Sequence, residues 1–260
     1  MPPTVVAVGT VASGTTAITP AFPVGIAADD ILVGIGESTG GSNFPTIATN
    51  TFAHIASDAT PVSPIVQGTN TQLSVVWARY DGVITAHSWG DSGDHNIGRY
   101  LAIRGCPTTG NPWHVLAVAT SAVSSTAATW PGVTTTIDDC LILEVIATGS
   151  DIASTAQLGT LTNASYTSIV EQMDNWTSSG SGGGIGMVSA TKATAGATGQ
   201  STATLATAAT KAYATIAWAA ASGSGSVAEN KLLRSPRPAE QFTVRGAYAP
   251  QNPTTILPGG

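Results

Sequence analysis

Two acidic residues followed by an unbroken apolar run occur twice in this chain. Asp29-Asp30-Ile31-Leu32-Val33-Gly34-Ile35-Gly36-Glu37 has a counterpart in Asp138-Asp139-Cys140-Leu141-Ile142-Leu143-Glu144-Val145, an offset of 138 minus 29, or 109. Each acidic pair reads as the end of a turn, and each apolar run as a buried strand, covered on both faces or set in a sandwich core. An aromatic-proline pair precedes each copy, Phe22-Pro23 and Trp130-Pro131, and a small polar turn follows each. The expectation is all-β: two tandem antiparallel β-sandwich, jelly-roll-like domains from an internal duplication, at 1–112 and 113–221. Residues 222–260, opening on Ser222-Gly223-Ser224-Gly225-Ser226 and carrying five further prolines, read as a linker and an extended C-terminal arm. A chain of 260 residues is long enough for two separate cores.

Only 9% of residues are Asp, Glu, Lys or Arg, against roughly 25% in a typical soluble domain. The abundance of Thr, Val and Ile points to ordered β structure rather than disorder. Such a neutral Ser/Thr surface has few repulsive charges to keep neighbours apart, which suits an assembling protein and a homo-oligomer. The net charge of -6 argues against nucleic acid as a partner, since phosphate binding needs a basic stripe. From Gly223 onward the balance reverses: Lys231, Arg234, Arg237 and Arg245 against Glu229 and Glu240 give 4 minus 2, or +2. These four basic residues are the candidate partner-binding set, with an acidic body of another subunit as their target. Met1-Pro2-Pro3 does not read as a secretory leader, and Lys211 breaks the best apolar run, Leu205 to Ala221, so no membrane partner is expected. Cys106 and Cys140 read as buried free thiols.

Along the chain, Thr4 to Ala12 reads as an edge strand and Thr46 to Ile55 as another strand. Gln72 to Tyr80 places Leu73, Val75 and Trp77 on one face and Ser74, Val76 and Ala78 on the other. Asp81-Gly82 then predicts a hairpin returning through Val83 to Trp89. Ile97 to Arg104 closes the first copy, and Ala212 to Ala217 closes the second if Tyr213 is matched to Tyr100. Ala203 to Ala221 is Ala-rich, which favours helix. Its β-branched Thr204, Thr207, Thr210 and Thr215 decide for strand.

Chemistry is sparsely signalled. Asp91, Asp94, His95 and Asn96 sit on one loop and offer oxygen ligands for calcium, but their spacing is not that of a calcium loop, and Asp and Asn are ordinary turn residues. The two Asp-Asp pairs read as solvated turns. His54, His87, His95 and His114 lack zinc spacing, and no nucleophile elbow, phosphate loop or dinucleotide fingerprint is present. No catalytic, metal or cofactor-binding residue is assigned, and no enzyme is expected. Trp89 and Trp176, near loops, are candidate ligand-binding aromatics for a glycan, with core packing as the alternative.

The duplicated Asp-Asp strands, the strand Leu73-Ser74-Val75-Val76-Trp77-Ala78-Arg79 and the closing strand Tyr100-Leu101-Ala102-Ile103-Arg104-Gly105 resemble the β-sandwich virion proteins of tailed bacteriophages. The resemblance spans roughly residues 20 to 220. It implies a non-enzymatic virion structural protein, a capsid decoration or cement protein attached to other virion structural proteins. The alternative it allows is a minor tail or fibre protein with a receptor- or carbohydrate-binding sandwich.

Overall fold

The structure is a computed structural model that describes residues 1–38, 52–55, 66–67 and 70–221. It is all-β. The first half supplies β1 (Thr4–Val8), β2 (Ala12–Gly14), β3 (Ile31–Ser38), β4 (Ala53–His54), β5 (Val66–Gln67), β6 (Gln72–Arg79) and β7 (Asn96–Arg104). The second half supplies β8 (Trp113–Trp130), β9 (Thr134–Thr135), β10 (Cys140–Thr148), β11 (Thr167–Thr177), β12 (Gly183–Lys192), β13 (Gly196–Ala197) and β14 (Ser201–Trp218).

Among the described residues, each half forms one main antiparallel sheet. The first runs β1-β7-β3-β6-β4, with β2 also on β7 and β5 also on β6, and the second runs β8-β14-β10-β12-β11. In chain order both paths are first, fifth, second, fourth, third. The centre of each sheet is the repeated apolar strand, flanked on both sides.

Side-chain alternation explains why these central strands are apolar throughout. Ile31, Val33 and Ile35 from β3 and Leu141, Leu143, Val145 and Ala147 from β10 belong to one core between the sheets. The opposite faces are covered too: Leu32 lies in a cluster with Phe52, Trp89 and Tyr100, and Cys140, Ile142 and Ile146 lie in one with Trp130, Trp176 and Tyr213. Two sandwiches divided at 112/113 are therefore not formed. Residues Met1–Gly223 make one compact unit, in which each half contributes a sheet to a shared core. Among the described residues each half keeps its strands in its own sheet, so the jelly-roll-like expectation, in which strands pass between two sheets, is also corrected. The chain divides at Gly223, and the expected arm lies outside the described residues.

The register of the repeat shifts by one from the reading above. Asp29 and Asp139 are the non-glycine residues that enter β3 and β10 with positive φ, 69° and 58°, and 139 minus 29 is 110. At that offset Ile31 matches Leu141 and both face the shared core. An offset of 109 would turn one of them outward, because a one-residue slip exchanges the faces of a strand. Tyr100 pairs with Gly34 and Thr215 with Glu144, so Tyr100 corresponds to Thr215 rather than to Tyr213.

The hairpin after β6 does not form. Both sides of β6 are occupied, by β3 and by β4 with β5. Asp81 Oδ1 accepts the N–H groups of Val83 and Ile84 at 2.9 Å each, turning the chain away from the sheet edge. It then crosses the outer face, where Trp89 bridges to Ile18. Gly34 and Gly36 point at this layer, and a Cβ on Gly34 would come within 2.8 Å of Trp89 and 2.6 Å of Tyr100. Glycine at these outward positions lets two large rings lie directly on the central strand.

Other expectations hold. β1 is an edge strand on β7, Gln72–Arg79 presents its two faces as read, and Ala203 onward is extended within β14. Of Thr46 to Ile55, residues 46–51 lie outside the described residues, and Ala53–His54 forms β4. Cys106 and Cys140 are buried free thiols.

Candidate functional site

The most concentrated chemistry lies where loops of the two halves meet at one end of the shared core. Glu37 follows Ile35 on the core-facing side of β3 and is 2% exposed. His95, just before β7, has no exposed surface. Its Nε2 lies 3.0 Å from Glu37 Oε2 and 3.2 Å from Oε1, and Thr71 Oγ1 donates to Oε1 at 2.9 Å. From the second half, the loop between β11 and β12 closes over this pair. Ser181 gives both its N–H, at 2.8 Å, and its hydroxyl to the carboxylate of Asp94, and His95 Nδ1 lies 3.4 Å from Ser181 Oγ and 3.6 Å from Asp94 Oδ2.

Burial dominates the electrostatics of Glu37 and pushes its carboxyl up to about 7, with the hydrogen bond to His95 opposing the rise. Burial pulls His95 down, but its bonds and charge contacts with Glu37 and Asp94 outweigh that and leave it above its ordinary value. The pair thus retains protons near neutrality. Serine, histidine and carboxylate stand in sequence here, yet the serine proton and the adjacent backbone N–H are both committed to Asp94. The arrangement can tie the halves together and exchange protons close to pH 7.

No family model, curated protein or solved structure matches the chain.

The four residues of the loop read as a possible calcium site each make protein contacts. Asp91 Oδ1 accepts the Gly93 N–H at 2.8 Å, Asp94 holds Ser181, His95 faces Glu37, and Asn96 Nδ2 donates to Thr16 O and Gly90 O at 3.0 Å each. Asp30, read as a solvated turn residue, is buried and accepts both Nε and Nη2 of Arg104 at 2.7 Å. The fixed fork of Arg104 matches that carboxylate, so the acidic residue anchors the strand entry.

Trp89 and Trp176 are 2% and 6% exposed. Trp89 is core. Trp176 donates from Nε1 to Thr148 Oγ1 at 2.7 Å, and Gly184 lies against its ring, while another part of the residue lines a cleft. Lys231, Arg234, Arg237 and Arg245 lie outside the described residues.

Two features were missed by sequence reading. Glu37 and His95 are 58 residues apart, and the only local signal was a lone acid at the end of an apolar run. The other is β8, whose run of Ala, Ser and Thr has no large-residue alternation to mark it as a strand. It is nevertheless an 18-residue strand at the end of the second sheet, half-buried to exposed over most of its length.

Proposed function

We propose that this chain is a non-enzymatic virion structural protein of the capsid decoration or cement type, which works by packing against neighbouring subunits. The observation that carries the reading is β8. A free strand edge offers unpaired N–H and C=O groups, and proteins that stay apart blunt such edges with charge, proline or very short strands. Across Trp113–Trp130 the sequence has neither proline nor glycine, and His114 is its one titratable side chain. Among the described residues no strand pairs with its outer edge. The neutral Ser/Thr composition and the resemblance to tailed-phage sandwich proteins point the same way, and the common strand order of the sheets supports origin by duplication.

Val118 and Val123 are 40% and 70% exposed, and Val123 has no partner in the β8–β14 register. A charge at the first and a proline at the second therefore spoil the edge while sparing the sheet. The variant carrying Val118→Lys and Val123→Pro is expected to self-associate at least tenfold more weakly in sedimentation, equivalent to about 1.4 kcal/mol, with its melting temperature nearly unchanged. Assembly as tight as that of the parent protein would count against the reading. The arm bearing Lys231, Arg234, Arg237 and Arg245 is proposed to reach an adjacent subunit or shell protein. Deleting residues 223–260 is expected to weaken attachment to particles about tenfold or more without unfolding the body, as read by co-sedimentation and thermal melts.

A further inference from the structure

Arg99 is a cation in a place that should have cost the fold stability. On β7 it lies between Ile97 and Leu101, both in the shared core, so alternation directs it into the space between the sheets. Asn175, on β11, meets it from the other sheet: Arg99 Nη1 donates to Asn175 Oδ1 at 2.8 Å, and Nε donates to Gly9 O at 2.6 Å. Both acceptors are neutral. None of the ion pairs among the described residues involves Arg99. Desolvation lowers its guanidinium below the ordinary value, the mark of a charge without compensation.

The guanidinium is also reachable. The edge strand is interrupted between β1 and β2, and residues 9–11 of that gap line a cleft of about 350 Å³ together with Phe22, Arg99 and Asn175. A second cleft of about 380 Å³ shares Val11 and Asn175 with the first and is bounded by Trp176, Ser13, Ser154 and Thr155. Each is within the size range of small-ligand sites. Together they give one groove with a cation in the wall of the first cleft and hydroxyls at the rim of the second.

We propose that this groove binds a carboxylated saccharide, whose carboxylate pairs with Arg99 and whose hydroxyls lie within reach of Ser13, Ser154 and Thr155. An anion supplies the charge that the protein itself does not. Arginine recognises carboxylates through paired donors, and the hydroxyl rim matches a sugar rather than a simple acid. The site is independent of the assembly reading. It lies on the β11 side of the second sheet, whereas β8 ends the opposite side.

Isothermal titration calorimetry of the full chain with glucuronate, glucose and succinate tests it. Glucuronate is expected to bind at least tenfold more tightly than either of the others, and Arg99→Gln should weaken it tenfold or more. Because Arg99 also ties the sheets, Thr10→Glu serves as a second variant: Thr10 is exposed at the groove rim, and a carboxylate there should repel the ligand to the same degree with the fold intact. Equal affinity for all three probes, no binding of glucuronate at millimolar concentration, or unchanged binding by Thr10→Glu would each overturn the proposal. Succinate as tight as glucuronate would overturn its saccharide part.

Discussion

Between pH 6.5 and 8 the melting temperature of this protein is expected to fall relative to that of its Glu37→Gln variant. The sign follows from proton binding. Glu37 keeps its proton in the folded state up to about 7 against an ordinary value of 4.5, and His95 is also held above its ordinary 6.5. A group whose folded value is raised contributes stability that is fully present below its unfolded value and is lost as pH rises through the folded one. Asp94, Thr71 and Ser181 face the pair, and Asp94 adds to the retention of protons on both members. His54 and His87 are held below their ordinary 6.5 by burial and act the other way: their unfolded forms shed protons as pH rises from 6.5, which offsets part of the pair's loss and is common to parent and variant. Between pH 6.5 and 8 the loss comes to about 1 kcal/mol, or about 2–4 °C for a unit of this size. The cost of removing the pair is larger: Glu37→Ala strips His95 and Thr71 of their buried partner and is expected to destabilise by about 3–5 kcal/mol at pH 7. Calorimetric melts at half-unit pH steps decide the matter. A Glu37→Gln variant with the parent's slope would show that other groups set the pH dependence.

The same pair shows where sequence reading stops. The repeated strands were legible because burial on both faces leaves a run with no polar break, but such a run does not say what covers each face. Ile31 and Leu141 would look alike in two separate sandwiches or, as found, across one shared core. Matching the Asp-Asp pairs by identity gave the offset of 109. The backbone instead equates Asp29 with Asp139, since these are the residues in the left-handed conformation at each strand entry. Asp81-Gly82 carried a sound local turn signal, yet tertiary competition for β6 left no edge for the predicted return strand. The seam at Glu37 depends on Thr71, His95 and Ser181 arriving from three distant loops, and Arg99 needs a partner from the other sheet. None of these meetings leaves a periodic trace along the chain.

Glu144→Gln is expected to leave stability within about 1 kcal/mol of the parent, while Glu144→Ala costs about 3–5 kcal/mol. Glu144 occupies an outward position on β10 and has no exposed surface. Oε1 accepts from Tyr166 Oη at 2.8 Å and from Ser201 Oγ at 2.7 Å, and Asn163 Nδ2 donates to Ser201 Oγ, which frees the serine proton for the carboxyl. Oε2 lies 2.5 Å from Thr215 Oγ1, which is itself 2.6 Å from the carbonyl oxygen of Pro131. Thr215 has one proton and the proline carbonyl can only accept. If the hydroxyl donates to Pro131, the short contact with Oε2 needs a proton on the carboxyl. Burial raises Glu144 in that same direction, with the three hydroxyls opposing it. Glutamine reproduces the neutral acid, its amide N–H replacing the carboxyl proton toward Thr215 and its oxygen still accepting from Tyr166 and Ser201. Alanine strips Tyr166 and Ser201 of their acceptor and Thr215 of its second partner inside the layer. The sign is as for Glu37: the contribution is present below 4.5 and is lost as pH rises through the folded value, so Glu144→Gln should equal or exceed the parent at pH 8. A loss at pH 7 from Glu144→Gln as large as that from Glu144→Ala would instead mean that the carboxyl is ionised and that Pro131 is left without its donor.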